Sequence, residues 1–299
     1  MAERGTLSHE RPSRGQIRRR RMTALIVLVL AVVVIGVAVG AALPHLHRHR
    51  AAPPPPPPPP KPFRIVFPEG FTRVQMAERV GVVAGIAERK RGGAVRLSSA
   101  TYGRATRRLS VPCFSPRLRT DTEGFLFPAT YDFLAKTTST QLARDQVQAF
   151  CGNWRTLDLS YARSKNLTPY DVLTIASMIE KEAEAPAERP LIAAVIYNRL
   201  RERMPLGIDS TLRYGLDIAP TQSITESQLQ SNSPYNTRNR LGLPPTPIAN
   251  PGLASMRAAA HPAKVDYLYF VRKPDKVHHF FTASASEFQQ YECAHGYGC

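Results

Sequence analysis

Thr168-Pro-Tyr-Asp-Val-Leu-Thr-Ile-Ala-Ser-Met-Ile-Glu-Lys-Glu-Ala-Glu184 is the stretch on which the rest of the chain is organised. Thr168 suits a helix N-cap, and Pro169 suits the first turn, where its missing N–H costs nothing. Pro186 stops the run, so the spacing predicts a helix over 168–184. At about 100° per residue, Val172, Leu173, Ile175, Ala176, Met178, Ile179 and Ala183 share one broad apolar arc, while Thr174, Ser177 and Lys181 point away. Glu182 falls inside that arc, between Ile175 and Met178, and Glu180 lies on its other flank beside Leu173 and Ala176. Two carboxylates thus occupy positions where amphipathic logic wants apolar side chains. Such breaks in a local rule mark functional or ion-paired sites. A carboxyl held against Ile and Met loses solvation, and its pKa rises into the range of a general acid. The competing reading is an ion pair with Arg189 or Arg199 on the next helix, and the helical wheel does not choose between Glu180 and Glu182.

Working outward, the sequence predicts a second helix over 187–203, short helices near 210–214 and 252–260, strands at 267–271 and 279–282, and a last helix over 284–292. On the N-terminal side, Phe63-Arg-Ile-Val-Phe67 has strand character, Thr72 caps a helix reaching Lys90, a short helix lies near 98–109, 123–132 reads as strand and turn, and 139–154 is helical. Helices dominate around one small antiparallel sheet. The fold class is α+β, a helix-rich domain over 136–299 preceded by a small subdomain over 63–135.

The first 21 residues carry seven arginines against Glu3 and Glu10, a net of +5, and Met22–Leu43 follows without a charge. About 20 apolar residues span a bilayer core, so 22–43 is read as a transmembrane helix. A cleaved signal peptide is the alternative, but its apolar region is normally only about 7–15 residues. Arg18–Arg21 keep the 1–21 tail cytoplasmic by the positive-inside rule and place the rest outside, in a single-pass protein of the cell membrane. The net charge of +17 would otherwise suggest nucleic acid; with +12 of it outside the cytoplasm, that partner is excluded. Residues 44–62 form a linker whose eight prolines, Pro53–Pro60, make a semi-rigid spacer of about 25 Å. His45, His47 and His49 alternate with arginines there and read as a solvated collar rather than a metal site.

Four cysteines, Cys113, Cys151, Cys293 and Cys299, allow two bridges in three connectivities. Sequence proximity favours Cys113–Cys151 with Cys293–Cys299. A second cluster with turn chemistry combines Asn198, Asp209-Ser-Thr211, Tyr214, Ser233-Pro-Tyr-Asn-Thr237 and the Pro/Gly-rich run 242–252. Rigid loops bearing Tyr, Asn, Ser and Thr suit a sugar-binding cleft. Hydrolase, metalloprotease, P-loop and dinucleotide motifs are absent.

With these segments in view, Glu-Gly-Phe-Leu-Phe-Pro-Ala-Thr-Tyr131, Ala-Ser-Met-Ile-Glu-Lys-Glu182, Val-Ile-Tyr-Asn-Arg-Leu200, Asp-Ser-Thr-Leu-Arg-Tyr-Gly215, Ser-Pro-Tyr-Asn-Thr237, Gly-Leu-Pro-Pro-Thr-Pro-Ile-Ala-Asn-Pro-Gly252, Ala-Ala-Ala-His-Pro-Ala263 and Tyr-Leu-Tyr-Phe-Val271 resemble, in order, the MltG/YceG-like endolytic murein transglycosylases. The resemblance runs from about Phe63 to Tyr291. It implies cleavage of the β-1,4 bond between N-acetylmuramic acid and N-acetylglucosamine in nascent peptidoglycan strands, leaving a 1,6-anhydro end. The family's catalytic glutamate is the second of the Glu-Lys-Glu triplet, which carries over onto Glu182; Glu180 becomes a neighbour that tunes or orients it. Asn198, Ser210, Tyr235 and Asn236 become substrate-binding candidates. No metal or cofactor is implied, and peptidoglycan synthases are the expected partners besides glycan and membrane. Family members also carry a LysM-like module; here the Pro run leads almost directly into Phe63, so that module is expected to be shortened. Two rival expectations remain: a non-catalytic glycan-binding or synthase-recruiting scaffold, and a water-using hydrolase pairing Glu182 with Asp209.

Overall fold

The computed structural model describes residues 14–47, 60–114 and 122–297, and the contacts divide the chain into two units, residues 1–59 and 60–299. The first unit contains helix α1 (Arg14–His47), whose stretch Arg14–Ala41 is long and apolar enough to cross a membrane. Most of the proline spacer, His49 and Cys299 lie outside the described residues.

The second unit begins with strand β1 (Phe63–Val66), helices α2 (Arg73–Arg91) and α3 (Ser99–Thr106), and strand β2 (Thr130–Phe133). β1 and β2 pair antiparallel, Phe63 opposite Phe133 and Val66 opposite Thr130. α2 starts where predicted because Thr72 and Gln75 form a reciprocal capping box. α4 (Ser139–Trp154) lies against α3, and the Cys113–Cys151 disulfide ties the segment after α3 to it. Phe114 then packs on Phe125 and Trp154, with ring centroids 4.9 and 5.1 Å away.

After the single turn α5 (Ser160–Ser164) comes α6 (Pro169–Glu182), the spine of the domain. Thr168 and Asp171 form its capping box, and every residue from Val172 to Ile179 is buried. Thr174 and Ser177, which the wheel turned away from the core, are buried as well. α6 is covered on all sides, so those hydroxyls bond the backbone: Thr174 donates to the Tyr170 carbonyl, and Ser177 donates to the Thr174 carbonyl while accepting from the Ile248 N–H at 3.0 Å. The five large apolar side chains of this stretch each contribute about 2 kcal/mol by burial. α6 turns out of helix at Ala183, two residues earlier than predicted.

The predicted second helix is divided: Pro186–Glu188 forms a 3-10 turn and α7 runs Arg189–Arg201, with Pro190 in its first turn. Then come α8 (Asp209–Gly215), the short α9 (Glu226–Leu229), α10 (Leu253–Ala260), strands β3 (Tyr269–Arg272) and β4 (His279–Thr282), and α11 (Ala285–His295). α10 packs along α6, its Ser255 and Ala258–Ala260 buried, and small side chains let the two helices approach closely. β3 and β4 pair antiparallel, and α11 covers them through Phe288 stacked on Tyr269. Among the described residues the domain is α+β with two separate two-stranded sheets rather than one. β1 finds its partner more than sixty residues away, beyond the reach of local patterning.

Candidate active site

A groove of about 1580 Å³ opens at the C-terminal end of α6. Its walls come from the start of α2 (Thr72–Gln75, Glu78), α8 with the turn before it (Leu206–Gly215), Tyr235, β3, His279 and the outer face of α11 (Phe288, Glu292). Both parts of residues 60–299 therefore contribute to one groove.

The carboxylates Glu180 and Glu182 have separate fates. Glu180 has a side chain only 6% exposed, 3.8 Å from the Arg189 guanidinium, and its carboxylate accepts the Gly252 N–H at 2.8 Å. It joins α6 to α7 and to the start of α10, and it does not line the groove. This is the ion pair that the sequence offered as the alternative. Glu69 lies beside it: its carboxyl presses on Gly252, where an added Cβ would fall 1.8 Å from an oxygen. Burial, then the Glu180 charge, raise the Glu69 pKa, with Arg189 opposing them.

Glu182 lines the groove. The residue keeps part of its surface at the groove wall, yet dense protein around the carboxyl raises its pKa by desolvation. Asp209 adds to the rise; Ser210, His279 and Arg272 oppose it. The Ser210 hydroxyl lies close enough to draw the pKa down, although it completes no hydrogen bond of normal geometry among the described residues. Asp209 is itself held by Arg238 at 2.6 Å.

Of the other candidates, Tyr235 and Ser210 share the groove with Glu182. Tyr235 is fixed by a 2.8 Å hydroxyl contact to Thr246 and by an edge-on contact with Tyr214. Asn198 and Asn236 are not in the groove. The Asn198 amide donates to the Val265 and Tyr267 carbonyls, both at 2.9 Å, and pins the chain entering β3. The Asn236 amide donates to the Leu229 and Ser231 carbonyls, and its oxygen accepts the Arg238 N–H. Both side chains are spent on backbone, which makes them part of the scaffold.

Sequence reasoning assigned no role to several residues that build the site. Glu123, 3% exposed, accepts from the Arg73 N–H, the Asn250 amide and the Tyr214 hydroxyl, and so joins the α2 and α8 walls. Its signal was a carboxylate beside Phe125-Leu-Phe127, the same break of pattern that singled out Glu182. Asn250 closes the joint, donating also to the Phe71 carbonyl and accepting the buried Leu126 N–H at 2.9 Å. Arg199, offered by the sequence as an ion-pair partner for the α6 carboxylates, instead holds the Leu206 and Leu268 carbonyls and fixes the groove's rim to the chain entering β3, while Arg189 takes Glu180. Glu188 and His279 pair beside the groove, with nothing in their local sequence to announce it.

Residues 60–299 thus form a helix-rich α+β domain whose groove carries a desolvated carboxyl at the end of α6. The YceG-like family model matches residues 42–293, and the chain belongs to that family. An endolytic murein transglycosylase of Bacillus subtilis (strain 168) is 39% identical over 163 residues, covering 54% of this chain and 44% of that protein. One from Streptococcus pneumoniae (strain ATCC BAA-255 / R6) is 35% identical over 223 residues, covering 69% and 40%. The crystal structure of a yceG-like protein from Listeria monocytogenes matches with a TM-score of 0.62 at 29% identity, covering 78% of this chain and 76% of that one. The chain spans less than half the length of the curated relatives it matches.

Proposed function

We propose that this chain is a lytic transglycosylase that cuts the β-1,4 bond between N-acetylmuramic acid and N-acetylglucosamine within nascent peptidoglycan strands, with Glu182 as its single acid and base. The observation that carries the proposal is a desolvated carboxyl on the rigid end of α6, opening into a groove large enough for several sugar rings. In the first step protonated Glu182 gives its proton to the glycosidic oxygen as the bond to the anomeric carbon breaks. The carboxylate left behind faces the oxocarbenium-like centre. In the second step it takes the proton of the sugar's own 6-hydroxyl as that oxygen attacks the anomeric carbon, closing the 1,6-anhydro ring and restoring the acid. No water is consumed. Because one group is acid and then base, its pKa belongs near the working pH, well above an exposed glutamate's. Ordinary glycosidases need a second free carboxylate. The nearby Asp209 is engaged by Arg238, which favours the one-carboxylate reading over the hydrolase.

Tyr235 and Ser210 are read as substrate contacts, and Glu180 as the anchor of the helix end that carries Glu182. The β1–α2–α3–β2 unit is read as the LysM-like part, adding glycan affinity beside the groove. α1 is read as the single-pass anchor with the arginine tail in the cytoplasm, which would hold the domain where synthases extrude new strands. The test is to digest uncrosslinked glycan strands with the full-length chain and count anhydro-muramyl ends by mass spectrometry. Glu182→Gln should lower their formation at least about 100-fold. Equal product from that variant refutes the mechanism, and hydrated reducing ends from the wild type would favour the hydrolase.

A further inference from the structure

We propose that the C-terminal end of α2, with the turn after it and the start of β1, is a docking surface for an anionic lipid bilayer. The proposal rests on the reading of α1 as a membrane anchor, and it gives a role to a face of the second unit that the glycan chemistry does not use.

The exposed face of α2 changes character along its length. Gln75 and Glu78, near its start, belong to the groove wall. Further on, Val82 and Ile86 keep 61% and 37% of their surface in the open, and the exposed Arg89 and Lys90 follow one turn later. Residues three and four apart share a helix face, so these four form one strip in which two apolar side chains precede two cations. Gly92, at φ +65°, ends the helix. The Arg96 N–H then donates to the Ala135 carbonyl at 3.0 Å, which sets Arg96 and Lys136 beside the Phe63–Phe133 end of the β1–β2 pair. Arg91 completes the joint: its guanidinium lies 4.2 Å from the Phe63 ring centroid and donates to the Lys61 carbonyl. Lys61, Arg89, Lys90, Arg91, Arg96 and Lys136 are all exposed. With Arg64, seven cations stand against the acids Glu88 and Asp132, a net of +5. Both acids are engaged, Glu88 by the Val95 N–H at 3.2 Å and Asp132 by Arg64 at 3.6 Å.

Three features select a bilayer as the occupant. The charge is of one sign, opposite to that of anionic headgroups. Val82 and Ile86 beside basic side chains match a helix face that lies among headgroups, apolar groups inward and cations at the phosphates; a soluble polyanion has no use for the apolar pair. The chain before Lys61 runs back through residues 48–59 into α1, and Arg91 clamps its last step at this same end. A surface held on so short a tether is presented at about millimolar effective concentration, so weak docking suffices. Because the helix that docks at one end forms groove wall at the other, docking sets the orientation of the groove over the surface that anchors the chain.

The experiment reconstitutes the full-length chain in nanodiscs of phosphatidylcholine, alone or mixed with phosphatidylglycerol, and follows lysine acetylation by a membrane-impermeant reagent, residue by residue, in mass spectra. Lys61, Lys90 and Lys136 should react about five-fold more slowly on the anionic discs, and equally on both in high salt, while the exposed Lys165 and Lys276 keep one rate throughout. Arg89→Gln combined with Arg96→Gln leaves those reporters in place, and two lost charges should lower the docked-to-free ratio about 25-fold, which abolishes the protection without changing the melting temperature. Equal rates on both discs, or protection that survives in the double variant, overturns the proposal. Protection by soluble poly(glycerol phosphate) but not by anionic discs would assign the face to a polymer and overturn it as well. Flotation with neutral vesicles tests the anchor separately. A chain that does not float with them refutes the reading of α1 and this proposal with it, whereas one that floats yet shows no protection on anionic discs refutes docking alone.

Discussion

Removing the Glu123 carboxylate should loosen the groove from the inside. Glu123→Ala takes the acceptor from the Arg73 N–H, the Asn250 amide and the Tyr214 hydroxyl at once. Hydrogen bonds to a charged group contribute about 1.5–3 kcal/mol each, and three that share one buried acceptor are not additive, so a loss of about 3–5 kcal/mol is expected. Asn250→Ala should cost about 3 kcal/mol by a different route, since it strips the buried Leu126 N–H of its acceptor and the Phe71 carbonyl of a donor. The two residues bond each other at 2.9 Å, so the double variant should be less destabilised than the sum of the singles by about 1–2 kcal/mol. Urea unfolding of the four proteins, followed by far-UV circular dichroism, measures the cycle. Additivity within about 0.5 kcal/mol would refute the claim that this joint is one network.

Three further outcomes are expected. Gly215→Ala would place a Cβ 2.5 Å from that of Tyr235 and 2.8 Å from its ring, so the backbone carrying Tyr235 must shift and move the ring from the groove wall; KM for glycan should rise several-fold, with a lowered melting temperature. Replacing Cys113 and Cys151 by Ser releases a bridge spanning 38 residues, and chain entropy puts the loss at about 4 kcal/mol, read as a lowered urea midpoint. Glu69 has its folded pKa raised, so the folded state binds the proton more tightly than the unfolded one and stability falls as pH climbs from the usual carboxylate range through the raised value. Glu69→Gln should flatten that fall in melts taken between acid and neutral pH, and an unchanged pH slope would contradict the crowding of Glu69 against Glu180.

Local chemistry made much of the fold legible. Thr72, Thr138 and Thr168 cap helices by side-chain hydrogen bonds that follow from a threonine set before a helical pattern. Of these, Thr72 and Thr168 read as caps from the sequence, which also places the helices α4, α6 and α10 within a few residues. Destinations fixed by distant chain were not legible. Glu180 and Glu182 were equivalent on a wheel, and only Gly252, 72 residues on, together with Arg189, distinguishes them. Asn198 and Asn236 have the composition of sugar ligands; carbonyls from other segments claim their amides first. Glu188 and His279 meet across 91 positions, and two unremarkable polar residues give no periodic or spacing signal of such a contact. The antiparallel pairing of Phe63–Val66 with Thr130–Phe133 was hidden for the same reason.

The eight consecutive buried residues of α6 have a consequence for how such a molecule can vary. A side chain at the tip of a strut locked in on every turn has no freedom to wander, and no substitution along that strut relocates it without emptying the core. Under the proposed function, differences in where a strand is severed would therefore originate in the strand and in the rims that grip it, leaving the cutting point itself stationary.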